Sequence, residues 1–234
     1  MKTILLKKQV YFIPVFLLLI TTSCHRSYYS ADTYFWQRAA NHRIVAVMPA
    51  EMVYTGTQPK NVTPEQIKEI EEQESLAFQQ SLYNGIMTNA YNSRYYMTIS
   101  IQDVTTTQKI LKDNNISIRE SWIQNDKDLA RILGVDAIVR LRVQKKRYMS
   151  DLASYGVGVG REILSDIGSS NRFYVPYIPN KTSDIYASCN IVSNNETLWN
   201  DYYRSSSNWS RPSEQIIQDI TLCFGRHFPY KRRI

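Results

Sequence analysis

A helix that leads directly into a strand is the feature of this sequence that most limits its fold. Leu129, Ile132 and Leu133 recur at helical spacing, and Gly134 follows them as a residue typical of a helix end. From residue 136 to 148 apolar side chains alternate with polar ones, which predicts a strand with one buried and one polar face. Helix and strand in direct succession favour helices packed on a sheet.

The remaining predicted elements extend this alternation. Further strands are predicted at residues 43–48, 96–101, 185–192 and 197–203, with Asn194 and Asn195 as a hairpin turn. Helices are predicted at residues 63–92, 106–113 and 126–133, and from 210 to about 227. This order predicts an α/β fold, with a mixed sheet of about five strands and helices packed on it.

The longest predicted helix has a well-defined start. Thr63 is the expected N-cap, Pro64 occupies the first helical position, and Gln66 closes a capping box. Asp126 is predicted to cap the helix that ends at Gly134. The stripe that would pack inward along the longest helix consists of Phe78, Leu82, Ile86 and Ala90.

The N-terminus is similar to a bacterial lipoprotein signal. Three lysines precede an apolar run over residues 10–20, which is shorter than a membrane span, and small residues then lead to Cys24. In lipoproteins of this kind the Cys becomes the mature N-terminus and carries lipid, palmitate included. An ordinary cleaved signal that leaves Cys24 unmodified and an uncleaved anchor are the alternatives.

The resemblance to a lipoprotein signal also implies a location and a domain organisation. His25, and not Asp, follows Cys24, which implies the outer membrane, and no acidic run follows that would imply export to the cell surface. We therefore expect a lipid-anchored protein that faces the periplasm. The predicted divisions are a signal peptide at 1–23, a tether at 24–42 and an α/β domain at 43–230, with an insert at about 149–182.

The charge of the mature chain is mildly positive. Three of the 28 Lys and Arg residues lie in the signal, which leaves 25 against 21 acidic residues. This excess suits proximity to anionic lipid or sugar polymers, and we expect no nucleic-acid partner.

Two cysteines other than Cys24 are present. Cys189 lies in a predicted strand and Cys223 in a predicted helix, and both face inward by pattern. An oxidising compartment would permit a disulfide between them, whereas buried thiols would behave as small apolar groups.

The sequence lacks patterns typical of catalysis or metal binding. His25, His42 and His227 lie far apart, and we found neither a second His nor a carboxylate at ligand spacing, so no metal or cofactor is expected. His227 is interpreted as a cation at a helix C-terminus. There is no Gly-x-Ser-x-Gly elbow or Walker lysine, and Arg161 replaces the third glycine of a dinucleotide loop. We expect a protein that is not an enzyme.

The insert at 149–182 is the segment where a specific function would reside. Its apolar residues alternate with glycines at 155–160, as in a membrane hairpin, but Arg161 interrupts the pattern, and a helix rich in small residues is the preferred interpretation. The aromatic residues Phe173, Tyr174 and Tyr177 would contact a partner or cover the edge of the sheet.

Three segments resemble a family of periplasmic lipoprotein domains. Residues 43–49 (RIVAVMP) are similar to its opening strand, residues 129–139 (LARILGVDAIV) to its helix-turn-strand, and Leu198-Trp199 to its hairpin. The group includes the curli secretion channel lipoprotein, the N-terminal domain of the Tol propeller protein and lipoproteins that activate penicillin-binding proteins. The resemblance covers about residues 43–228 and implies an anticodon-binding-like α/β fold.

Three functions remain open at this point. The first is a non-catalytic structural or accessory subunit that binds another envelope component or itself. The second is a ring-forming secretion channel component, for which the insert would have to supply membrane strands. The third, an envelope hydrolase, would need clustered acids or histidines that we did not find in the sequence.

Overall fold

A computed structural model of the chain describes residues 28–31, 33–56, 63–90, 95–147, 181–208 and 213–234. The strands are β1 (Tyr28–Ala31), β2 (Ile44–Val47), β3 (Glu51–Gly56), β4 (Tyr95–Met97), β5 (Ser100–Ile101), β6 (Ala137–Arg147), β7 (Lys181–Ser193), β8 (Glu196–Asn208) and β9 (Lys231–Arg233). The helices are α1 (Phe35–Arg38), α2 (Pro64–Ala90), α3 (Val104–Asp113), α4 (Ile118–Ile123), α5 (Asp126–Leu133) and α6 (Ser213–His227).

The predicted fold class is confirmed, because helices pack on a mixed sheet. The main sheet has the strand order β1-β8-β7-β6-β2-β5, and β3 pairs with β6 beyond the end of β2. β2 and β3 run parallel to β6, whereas β7 and β8 form a long antiparallel hairpin beside it. β4 and β9 form a separate small antiparallel sheet.

The sheet has an inner face covered by α2 and α6. Side chains of β6 and β7 on this face pack against the predicted apolar stripe of α2 and against one face of α6. Their buried members include Val139, Leu141, Val143, Ile191, Phe78, Leu82, Ile86, Ile216, Ile220 and Phe224. The outer face has a smaller core at one end only, beneath α3 and α5, formed by Ala46, Met48, Leu111, Leu129, Ala130, Leu133, Ile138 and Val192.

The predicted start of the longest helix is confirmed. The Thr63 backbone N–H donates to Gln66 Oε1 at 2.9 Å, and the Gln66 N–H donates to Thr63 Oγ1 at 3.3 Å. This reciprocal pair satisfies two of the backbone donors that a helix N-terminus leaves without partners. The hairpin turn is also confirmed, since Asn194 and Asn195 both have positive φ, at 51° and 67°.

The predicted helix-turn-strand at residues 129–139 has a specific hydrogen-bonded geometry. Gly134 ends α5 in the left-handed conformation at φ 69°. Two residues later, Asp136 Oδ2 accepts the backbone N–H of Arg43 at 2.7 Å and that of Ile44 at 2.9 Å. The Asp136 side chain therefore joins the start of β6 to the start of β2.

Part of the predicted tether belongs to the domain. β1 pairs antiparallel with β8, and Phe35 in α1 is 2% exposed, with its ring centroid 5.2 Å from that of Tyr230. Arg38 forms an ion pair with Glu196 at 2.7 Å. Residues 28–31 and 35–38, which lie in the segment predicted as a tether, therefore form elements that contact the domain. These two elements have four residues each, which is too short for a periodic signal.

Three other local expectations differ from the structure. The N-cap of α5 is Asn125 and not Asp126, because the Asn125 side chain accepts the N–H groups of Lys127 and Asp128. Helix α4 was not predicted, although Ser117 and Glu120 form a capping box at its start. The strand predicted at 96–101 is divided between β4 in the small sheet and β5 in the main sheet. None of the helices in the described ranges is long and apolar enough to cross a membrane.

The two helices on the inner face touch through glycine. A Cβ added to Gly85 of α2 would lie 2.8 Å from the backbone oxygen of Thr221, and a Cβ on Gly225 of α6 would lie closer still to the Gly85 oxygen. One turn away, the hydroxyls of Ser81 and Thr221 are hydrogen-bonded at 2.7 Å. Larger side chains at these glycines would separate the helices.

We expect Gly225→Ala to destabilise the protein by about 1–3 kcal/mol, because the new methyl group would displace backbone and not a flexible side chain. The gain in helix propensity, up to about 1 kcal/mol, opposes this effect but does not cancel it. Urea unfolding of the lipid-free Cys24→Ser chain would measure the change. Gln218→Ala, at an exposed position of the same helix, is the control. A variant as stable as the parent chain would contradict the close contact.

We expect Asp136→Asn to cost about 1 kcal/mol at neutral pH, since it removes the charge from an acceptor of two backbone hydrogen bonds. Partial burial raises the pKa of Asp136. The backbone N–H groups of Arg43 and Ile44 and the positive charge of Arg43 lower this pKa by a larger amount, so the net shift is downward. A lowered pKa stabilises the fold above the ordinary carboxyl pKa of 3.8, and this contribution disappears as the pH falls through the folded pKa.

Urea unfolding from pH 7 to pH 3 would check this pH dependence. The difference between the parent chain and Asp136→Asn should be constant near neutrality and should decrease as the pH falls below 3.8. Asp113→Asn, which removes an exposed carboxylate from α3, should show no such pattern. A difference that does not change with pH would show that the negative charge is not the stabilising factor.

Candidate interaction surface

The antiparallel strands β6, β7 and β8 present two different faces. Leu141, Cys189 and Asp201 are aligned across the three strands and point to the inner face. In the next register position Arg142, Ser188 and Tyr202 are aligned and point to the outer face, because side chains alternate along a strand. The sequence alternation in β6 that predicted one apolar and one polar face is the cause of this division.

Arg140 marks the place where helices stop covering the outer face. Its Nε donates to Asp126 Oδ1 at 2.7 Å and its Nη2 to the Gln124 backbone oxygen at 2.8 Å, and Nη1 donates to the Ser121 backbone oxygen. One arginine thus attaches the α4–α5 connection to β6. Among the described residues, the outer core beneath these helices includes Ile138 of β6 and Val192 of β7, but no side chain of β6 beyond Arg140 and none of β8.

We call the uncovered part of the sheet the open face. It consists of Arg142 and Gln144 on β6, Tyr186 and Ser188 on β7, and Tyr202 and Arg204 on β8. These residues line a groove of about 510 Å³. Tyr202 is 55% exposed and Tyr186 is 37% exposed, although both have large aromatic rings. Exposed tyrosine beside arginine is the composition that protein interfaces favour.

The electrostatics of the open face favour a negatively charged partner. The Arg204 guanidinium lies 5.0 Å from the centroid of the Tyr186 ring and forms no ion pair within the described residues. Arg142, with its side chain 58% exposed, lies 3.3 Å from a carboxylate oxygen of Glu51. Because a cation stacked on an aromatic ring keeps its outward edge available, Arg204 can donate hydrogen bonds to a carboxylate from another molecule.

A second group of chemically active side chains lies on the opposite face of β8. The Asp201 side chain is fully buried, and its Oδ2 lies 2.7 Å from His227 Nδ1 at the end of α6. Asp201 Oδ1 accepts the Tyr202 backbone N–H at 2.8 Å. Cys223 lies one helical turn before His227, and ligand atoms of Asp201, Cys223 and His227 are all within 4.8 Å of one another.

Burial controls the protonation of this inner group. Burial raises the pKa of Asp201, and the hydrogen bond from His227 opposes this rise only in part. Burial and the charge of Asp201 raise the pKa of Cys223, and both causes act in the same way on Cys189, the register partner of Asp201. Both cysteines are therefore protonated thiols at neutral pH.

The structure locates some of the sequence-predicted site residues. Cys24 and the aromatic residues Phe173, Tyr174 and Tyr177 lie outside the described residues, as does most of the insert at 149–182. Cys189 and Cys223 are free thiols, so the disulfide that we considered is not formed in the structure. The ends of β6 and β7 that border the insert are register partners at Arg147 and Ser183.

Two functional features were missed in the sequence. His227 was interpreted as a cation at a helix end, but its Nδ1 is paired with Asp201. No histidine has a carboxylate or a second His at ligand spacing in the sequence, so we expected no metal site, but Asp201 and Cys223 both lie close to His227 in the fold. The four-residue spacing of Cys223 and His227 was a signal for part of this group, because residues at this spacing share a helix face.

Comparisons with known proteins give general likenesses only. No protein-family model and no curated protein matches the chain. The PelC dodecamer of Paraburkholderia phytofirmans is similar over 86% of this chain and 96% of its own, with 7% identity and a TM-score of 0.40. Lipoprotein GNA1162 of Neisseria meningitidis is similar over 79% of this chain and 94% of its own, with 10% identity and a TM-score of 0.37.

A third similar structure is the LpoB C-terminal domain of Salmonella enterica, over 71% of this chain and 83% of its own, with 9% identity and a TM-score of 0.30. At these identities and TM-scores none of the three identifies a family or an activity for this chain.

Proposed function

We propose that this protein is a lipid-anchored, non-catalytic accessory subunit of the bacterial envelope, which binds an acidic segment of another envelope protein through its open face. The observation that carries the proposal is the half-covered sheet, on which Tyr186, Tyr202 and Arg204 stand exposed beyond Arg140. A partner that covered this face would complete the second layer that packed sheets ordinarily have.

The composition of the open face supports protein binding. Tyrosine and arginine dominate the binding energy of protein interfaces, because each combines a large contact area with directed hydrogen bonds. Tyr186 and Arg204 are already stacked in the unbound protein, so little conformational freedom remains to be lost on binding. The surrounding Gln144 and Ser188 supply the polar groups typical of an interface rim.

The acidic character of the partner follows from the charge balance. Arg204 has no carboxylate bound within the described residues, and Arg142 has one half-buried partner, Glu51. An incoming carboxylate would gain a charge-assisted hydrogen bond without first displacing one at Arg204.

The lipid anchor rests on the N-terminal sequence. A positive start, an apolar run too short to span a bilayer and Cys24 after small residues together match a lipoprotein signal. Cys24 lies a few residues before β1, so only a short segment would connect the lipid to the domain. We place the protein in the outer membrane, on its periplasmic side, because His25 follows Cys24.

The proposal of a non-catalytic role is supported by the protonation state of the partly buried Cys223 thiol. Cys223, His227 and Asp201 have the residue types of a nucleophile, a base and an orienting acid. A nucleophilic cysteine needs a lowered pKa, however, and the pKa of Cys223 is raised by burial and by Asp201. The arrangement therefore does not favour thiol catalysis.

We expect Cys24→Ser to move the protein from the membrane fraction to the soluble periplasmic fraction, because the acyl chains provide the attachment. Metabolic labelling with palmitate and fractionation of cells would measure this change. Cys189→Ser, which replaces a buried thiol, should leave both label and location unchanged. A Cys24→Ser chain that still carries label, or that stays in the membrane, would contradict the anchor.

A photo-cross-linking residue at Tyr202 should form an adduct with another envelope protein in living cells. The same residue at Lys112, exposed on α3, is the control position. Arg204→Glu in the Tyr202 probe chain should lower the adduct yield at least ~10-fold, because charge repulsion at a central contact weakens binding of a carboxylate by about 1.4 kcal/mol or more.

Arg131→Glu is the matched charge reversal for this experiment. Its arginine is 78% exposed on α5, away from the open face, so this variant should leave the yield unchanged. Equal loss in both variants would indicate a general effect of charge, and no adduct at Tyr202 would contradict the open face as the binding surface.

The mass of the detergent-extracted protein distinguishes the accessory role from a ring-forming channel. We expect a mass of one or two chains when the partner is absent. A large ring of identical chains, with Tyr202 adducts only between copies of this protein, would contradict the accessory role and favour the channel.

A further inference from the structure

The partly buried group of Asp201, Cys223 and His227 contains three kinds of metal ligand on two different elements. Asp201 approaches from the sheet, and Cys223 and His227 approach from one face of α6 at four-residue spacing. Their ligand atoms lie within 4.8 Å of one another. Tetrahedral Zn²⁺ sites with bonds of about 2.0–2.3 Å bring ligand atoms to within roughly 3.3–3.8 Å. Side-chain rotations that shift these atoms by about 1 Å would therefore close the group around an ion.

The ligand types indicate which ions would fit. Calcium and magnesium require mostly oxygen ligands, and this group offers oxygen from one side chain only. A thiolate, an imidazole and a carboxylate together suit Zn²⁺ and the related first-row transition ions. The three side chains could supply two negative charges and one neutral donor, which matches the charge of a divalent cation.

The burial of Asp201 also favours the binding of a cation by this group of side chains. The Asp201 side chain is completely inaccessible to solvent, and its carboxylate oxygens contact the Tyr202 N–H and His227 Nδ1. A carboxylate in such surroundings is costly unless a positive charge compensates it. The His227 side chain is 23% exposed and Cys223 is partly exposed, so an ion could enter from the solvent side of α6.

We propose that Asp201, Cys223 and His227 bind one Zn²⁺ ion, with water in the fourth position. Cys223 releases its thiol proton to solvent and binds through sulfur, while Asp201 and a neutral His227 donate lone pairs from one oxygen and one ring nitrogen. The ion connects β8 to the C-terminal turn of α6. This site faces away from the open face and does not depend on the proposed partner.

Cobalt titration of the mature chain, extracted in mild detergent, reduced and stripped of metal with a chelator, would test the site. Co²⁺ bound by one thiolate in tetrahedral geometry produces a sulfur-to-cobalt charge-transfer band and intense visible bands, and Zn²⁺ should abolish both by displacement. Native mass spectrometry should show one Zn²⁺ per chain. Zn²⁺ should also raise the melting temperature, because it binds the folded state.

Variants assign the ligands. Cys223→Ala should remove the charge-transfer band, and Asp201→Asn and His227→Gln should each weaken Zn²⁺ binding at least ~100-fold, more than the loss of an outer-shell contact does. Cys189→Ala removes a buried thiol next to Asp201 and should keep the band. His42→Gln removes an imidazole that is bound to Tyr230 elsewhere in the protein, and it should keep full affinity.

The cobalt titration and the variants give results that either support or overturn the proposed zinc site. Wild-type binding of one Co²⁺ with a thiolate band that Cys223→Ala removes and Cys189→Ala keeps would support the site. Failure of the reduced wild-type chain to bind one ion would overturn it, and this result does not depend on how any variant folds. A band that persists in Cys223→Ala, or that disappears in Cys189→Ala, would overturn the assignment of the ligands.

Discussion

The pairing of β6 with three other strands is the constraint on which the rest of the structure depends. β6 pairs with β2 at its start, with β3 along its second half and with β7 on the other side. Its first residues are buried on both faces, since Ile138 packs in the outer core while Val139 packs in the inner one. The hydrogen bonds from the start of β2 to the Asp136 side chain set the register between β2 and β6. They lie at the point where β6 becomes buried on both faces.

Local signals in the sequence were enough to predict much of this framework. The capping box at Thr63, the glycine end of α5 and the asparagine turn all act within a few residues, and the structure shows each of them. The period-2 pattern of β6 predicted its inner residues correctly. Strands β1 and β3 were missed because each depends on a distant partner, β8 and β6 respectively.

The surfaces and sites depended on tertiary geometry and were harder to predict. The alternation of apolar and polar residues indicates which side chains of β7 and β8 point to the outer face. It does not indicate how much of this face α3, α4 and α5 cover. That limit is set by Arg140 and its hydrogen bonds to the α4–α5 connection. In the same way, the contact of Asp201 with His227 joins residues 26 positions apart, which no local spacing rule would connect.

If Cys24 carries lipid as we propose, the position of β1 determines how far the domain can extend from the membrane. Three residues separate Cys24 from Tyr28, so the two Cα atoms can be at most about 14 Å apart in a fully extended chain. In the lipid-anchored protein that we propose, the sheet edge formed by β1 would therefore stay beside the lipid headgroups. The protein could select only those binding segments that themselves come close to the bilayer, and it could not reach across the envelope to collect them.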